Sequence, residues 1–123
     1  MAEKYQLGER TENFSIEVVR FCQNLDKNRE IAPLVSQLMR SATSIGANYS
    51  EANAASSRKD FKNKIFICKK EAQETCYWLR LIARLHQEKG PLAKELESEA
   101  HQFVLIFGKI ISTMSSAKKT VSN

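Results

Sequence analysis

The stretch Arg58–Lys89, RKDFKNKIFICKKEAQETCYWLRLIARLHQEK, decides the fold. Its apolar residues recur at three- and four-residue steps without period-two alternation, so the spacing predicts one helix about 45 Å long at 1.5 Å per residue. Ser57 followed by Asp60 resembles an N-terminal capping arrangement, with Asp in place of the usual Glu. Gly90 is expected to end the helix. Around the helical wheel, Phe61, Ile65, Cys68, Ala72, Leu79 and Ile82 share one side, the expected core stripe. A second apolar group, Ile67, Trp78, Leu81 and Leu85, lies about 120° away, with Glu71 and Glu74 among it.

Two apolar flanks on one helix ask for two burial partners. The second flank reads as a subunit interface with Trp78 as its aromatic anchor and with Glu71 and Glu74 awaiting a cation from another helix or another subunit. The competing reading is a broad core face with Trp78 at its margin. The remaining sector collects Lys59, Lys62, Lys69, Lys70, Arg80 and Arg84, with Phe66, Gln73 and Tyr77 interleaved and no Asp or Glu. Cations with aromatics between them can neutralise phosphates and stack a base. The alternative is a solvated face that keeps the protein soluble. Mixed signs are the usual composition of such faces, and their absence here favours binding.

Working outward, RSATSIGANYSEA (Arg40–Ala52) is helical in spacing but made of small residues. Leu34, Leu38, Ile45, Tyr49 and Ala52 take the core side of a helix over about 31–53, while Ser36, Thr43 and Ala47 line another. Small side chains let a neighbouring helix come close, and their hydroxyls can bond to it. Arg40 is placed to meet Glu71 or Glu74, within the protomer or across subunits. A first helix is expected over about 11–26 on Phe14, Val18, Phe21 and Leu25. A fourth is expected over about 91–115 on Leu92, Leu96, Phe103, Ile106, Phe107, Ile110 and Met114, with a frayed polar tail over 116–123. Short connections between these segments imply an all-α, antiparallel, up-and-down four-helix bundle in a single domain over 1–123.

Composition narrows the function. The 123 residues carry a net charge of +5, and Arg58–Lys70, with six cations against Asp60 alone, holds an excess as large as the whole chain's. Three Cys without a C-x-x-C pair read as buried thiols rather than disulfide partners or zinc ligands. No apolar run approaches the roughly 20 residues of a membrane span and no leader pattern opens the chain, so the cytoplasm is the expected address, with no membrane partner. His86 and His101 lack the Glu-x-x-His spacing of a di-iron bundle, no glycine-rich phosphate loop is present, and Glu97 and His101, one turn apart, are a lone pair where a metal site demands three or four ligands. The expectation is a protein with no catalytic residues, no metal and no cofactor.

The ordered combination QLMRSATSIGANYSEA (Gln37–Ala52) and SSRKDFKNKIFICKKEAQETCYWLRLI (Ser56–Ile82) resembles the four-helix-bundle proteins encoded in intervening sequences of bacterial 23S ribosomal RNA genes. The resemblance covers roughly 10–111. That family is similar in fold to the accessory variability determinant protein of diversity-generating retroelements, a basic bundle that forms a five-fold ring and works with a reverse transcriptase and nucleic acid. The resemblance implies a ring-shaped homopentamer with ribosomal RNA or another nucleic acid as partner. It supplies no catalytic residues. Its signature positions here, Arg40, Ser41, Ser44, Asn48, Glu51, Asp60, Phe61, Glu71, Glu74 and Trp78, have an architectural character.

Overall fold

The computed structural model describes residues 2–122 except Lys27, and the side chains of 6–26 and 28–116. It is built of four helices, α1 (Ala2–Gln23), α2 (Ala32–Asn53), α3 (Arg58–Leu85) and α4 (Gly90–Ser122), with a 3-10 turn at Gln87–Lys89 and no strand among the described residues. Successive helices run antiparallel. Along α2 and α3, Arg40 meets Glu74, Ile45 meets Cys68 and Glu51 meets Lys64. Along α3 and α4, Lys62 meets Ser115 and Arg80 meets Glu97.

Local chemistry sets the helix starts. The Asn28 side-chain carbonyl accepts from the backbone N–H of Glu30 and Ile31 at 3.0 and 2.8 Å, turning the chain into α2. Pro33 then occupies the first turn, where a missing N–H costs nothing. Ser57 caps α3 by accepting from the Asp60 N–H at 3.0 Å, as its spacing predicts.

Several boundaries differ from the periodicity. α1 begins well before Thr11, because Leu7 and Thr11 extend its buried stripe past Gly8. α3 stops at Leu85 rather than Lys89, with His86 leaving helical geometry at φ −127 and ψ 81. Gly90 is a helix opener, not a terminator: its φ of −55 and ψ of −48 are helical and α4 starts on it, with room for a Cβ in ordinary contact, 3.5 Å from the Ala83 carbonyl oxygen. At the other end the α4 backbone continues through Ser122 where a frayed tail was expected; the tail's side chains from 117 onward lie outside the described residues.

The core runs the length of the helices. Phe14 stands edge-on to Phe103 with ring centroids 5.4 Å apart, and Phe103 stacks toward Phe107 at 6.2 Å. Leu38, Ile45, Ile65, Leu79 and Ile82 close around them, all fully buried. The small residues of α2 serve close approach. A Cβ on Gly46 would sit 3.3 Å from Thr11 Oγ1 of α1. On the α3 side, the hydroxyls of Ser41 and Thr75 share a hydrogen bond of 2.9 Å in the dry interior, and Cys68 Sγ approaches the Ile45 carbonyl at 3.5 Å.

Candidate nucleic-acid interface on helix α3

α3 is held between α2 and α4, which leaves one long face of it bare. On that face Lys59, Phe66, Lys70, Gln73, Tyr77 and Arg84 follow one another at helical spacing, every one exposed. Phe66 is 49% and Tyr77 48% exposed, high for aromatic rings with a buried core close by. The Tyr77 ring is braced edge-on against Trp78, with centroids 5.0 Å apart. Among the described residues Lys59, Lys70 and Arg84 have no ion-pair partner. Their charge is therefore turned outward uncompensated.

The other three cations grouped with them on the wheel are placed differently. Lys62 donates its ammonium to Ser115 Oγ at 2.9 Å, and Arg80 pairs with Glu97 at 3.1 Å. Lys69 lays its side chain over Gly108, where an added Cβ would be 3.8 Å from Cε and Nζ. These three stitch α3 to α4. The seven candidates thus divide into an outward set, Lys59, Lys70, Tyr77 and Arg84, and an edge set, Lys62, Lys69 and Arg80. Phe66 belongs with the outward set, and its place between Lys59 and Lys70 was the signal for it. The neutraliser of Arg80 had no local signal, because Glu97 comes from the next helix.

The opposite flank of α3 faces α2. Here Arg40 bridges two carboxylates, Nη1 to Glu71 at 3.2 Å and Nη2 to Glu74 at 2.8 Å. The cation that the two glutamates require therefore comes from within the protomer. Lys64 pairs with Glu51 at 2.8 Å further along, and that carboxylate raises the lysine's pKa. Beyond the ion pairs lie Ile67, Leu81 and Leu85, of which Leu85 is 62% exposed, and the half-buried Trp78, which packs against the core margin. Trp78 Nε1 is buried without a hydrogen-bond partner. The four large apolar side chains exposed on α3, Phe66, Ile67, Tyr77 and Leu85, are half of those exposed among the described residues, so the uncovered apolar surface described is concentrated on this helix.

The reactive groups are placed for packing. Burial pushes the Cys68 thiol up to about 12 and the Cys76 thiol up to about 11, far from a nucleophile's range. Cys22 is buried too. No group of three His, Cys, Asp or Glu among the described residues could hold a metal ion. Glu97, one turn before His101, is committed to Arg80. A cleft of about 810 Å³ is lined by all four helices, with Leu7 and Arg10 of α1, Tyr49 of α2, Phe61 of α3 and Ile106 and Ile110 of α4 among its borders, and its described lining holds no carboxylate, imidazole or thiol. Arg10 at its edge is clamped to Glu99 by two bonds of 2.7 Å, over the Phe103 ring at 5.3 Å, and the paired carboxylate raises its pKa. No helix among the described residues is long and apolar enough to cross a membrane.

A bundle of antiparallel helices with a cationic, aromatic outer face on its third helix is the class of protein these features define. Residues 3–108 match the family of the 23S rRNA-intervening sequence protein, and the chain belongs to that family. It is similar to a protein of unknown function from the S23 ribosomal protein family of Bacteroides thetaiotaomicron VPI-5482, known from a crystal structure at 1.70 Å resolution. The two are 32% identical and superpose with a TM-score of 0.78 over 85% of this chain and 97% of that one. No curated protein matches the sequence.

Proposed function

We propose that this protein is a non-enzymatic, oligomeric accessory protein of the cytoplasm that binds RNA or DNA through the outer face of α3. The observation that carries the reading is the row Lys59, Lys70 and Arg84, without ion-pair partners among the described residues and interleaved with exposed Phe66 and Tyr77. An unpaired cation row gains free energy by displacing counterions from a polyanion, whereas paired cations have spent that gain already. Ribosomal RNA is the partner the family's name points to. The absence of catalysis rests on the inert thiols and on carboxylates engaged in ion pairs.

Self-association is the second half of the proposal. Ile67, Trp78, Leu81 and Leu85 flank the cationic row and offer an apolar strip to a sister subunit. A ring-shaped homopentamer is the assembly that the family resemblance implies. Such a ring would repeat the cationic row around its circumference and multiply weak contacts into avidity.

The test is RNA retardation at low and moderate salt with Lys59, Lys70 and Arg84 jointly changed to Glu. Wild-type protein is expected to lose affinity steeply with salt, and the triple variant to bind no RNA while keeping its helical circular dichroism. A single neutralising change among the three, which leaves measurable binding and removes one phosphate contact, should flatten the log–log salt slope by about 0.7 for a single strand. The exposed apolar strip favours one other reading, a scaffold that docks a partner enzyme and leaves nucleic acid alone. That reading holds if wild-type protein retards no RNA even at low salt.

A further inference from the structure

Resting on the reading that the outer face of α3 takes nucleic acid, we infer that it takes it as a single strand, with unpaired bases stacked on Phe66 and Tyr77. Both rings are about half exposed, and they lie about 16 Å apart along the axis at 1.5 Å per residue, with Lys70 between them and Lys59 and Arg84 beyond either end. Cation, ring, cation, ring, cation is the order a backbone with splayed bases requires: charge for the phosphates, planes for the bases. Tyr77 is also held in place by its edge-on contact with Trp78, so less side-chain freedom is lost when a base settles on it.

A duplex fits this face poorly for two reasons. Its base planes are already stacked on one another, so exposed rings find no partner there. The alternative of inserting α3 into a major groove about 12 Å wide needs a helix that stands clear of its neighbours. α3 does not stand clear: α2 bonds to it from Lys64 to Glu74, and α4 from Lys62 to Arg80.

The experiment measures binding of the full chain to one mixed-sequence RNA strand and to the same strand annealed to its complement, at a single salt concentration. Phe66→Leu with Tyr77→Leu removes both rings while keeping apolar bulk on exposed sites, and its mass in solution is compared with wild type. The expected result is wild-type preference for the single strand of roughly tenfold or more, lost in the double variant with duplex binding and mass unchanged. Equal affinity for both RNAs, or undiminished single-strand binding without the rings, overturns the inference and leaves the cationic face standing. A fall in mass on removing the rings assigns them to assembly and overturns it as well. Failure of wild-type protein to bind either RNA at low salt removes the nucleic-acid reading itself.

Discussion

The Arg40 guanidinium stands 3.2 Å from the carboxylate of Glu71, a residue only 8% exposed in the seam between α2 and α3. A carboxylate so placed loses most of its hydration, and the arginine, itself half open to solvent, replaces it. Arg40→Ala is expected to destabilise the protein by about 1–3 kcal/mol, because it strands the Glu71 charge rather than merely deleting a contact. Arg40→Lys should recover little, since an ammonium cannot fork to Glu71 and Glu74 together. Urea denaturation of the two variants checks both; equal stability of Arg40→Ala and wild type would show the pair to be idle.

Glycines in the two packed helices should respond oppositely to alanine. At Gly46 a Cβ would meet buried Thr11 at 3.3 Å from Oγ1 and 3.5 Å from the backbone oxygen, and neither can retreat far within α1. At Gly108 it would meet only the flexible end of Lys69 at 3.8 Å. Gly108→Ala should therefore gain up to about 1 kcal/mol from helix propensity. For Gly46→Ala the same gain is outweighed by overpacking, giving a net loss of about 1 kcal/mol. Melting temperatures moving in the same direction would contradict the close approach of α1 and α2.

Alkaline pH should weaken the fold through its thiols. Cys68 and Cys76 are raised from 9.0 to about 12 and about 11 by burial, so the folded protein keeps both protons where the unfolded chain releases them. Their contribution is complete below about pH 9 and is lost as pH rises toward the folded values. Unfolding free energy measured at pH 8 and at pH 10.5 should fall between the two, and Cys68→Ala should reduce the size of that fall. At pH 8 thiol reagents should leave Cys68 and Cys76 untouched until denaturant is added.

Trp78 offers a way to separate folding from assembly. Its Nε1 is buried with no acceptor in the protomer, so Trp78→Phe removes an unsatisfied donor along with part of a ring, and the stability of the protomer should change by less than about 1 kcal/mol. Assembly should weaken markedly if the accessible part of the Trp78 ring packs against a sister subunit, which sedimentation over a concentration series will show. An unchanged dissociation profile places Trp78 outside the subunit contact.

Much of the architecture is legible along the chain because each helix buries a single stripe, and a stripe of period 3.6 is a local property. Phe14, Val18 and Phe21, Leu38 and Ile45, Ile65 and Leu79, and Phe103 and Phe107 announce four helices before any contact is known, and the Ser57 cap is written in four consecutive residues. What a wheel cannot show is which neighbour stands beside each sector. It grouped Lys62, Lys69 and Arg80 with Lys59, Lys70 and Arg84, and only the packing of α4 against α3 drew the first three inward to Ser115, Gly108 and Glu97.

The same division runs through the ion pairs and the turn. Charge and spacing alone determined that Glu71 and Glu74 need a cation on that flank; the register between α2 and α3 decided that Arg40 of the same protomer provides it. Residue type alone marked Gly90 as a break, and the path of the chain through the 3-10 turn at Gln87–Lys89 makes it the first residue of α4 instead. Periodicity is inherited from the backbone, one residue at a time. The choice of partner is made by elements far apart in sequence, whose meeting depends on how every core side chain fills the space between them.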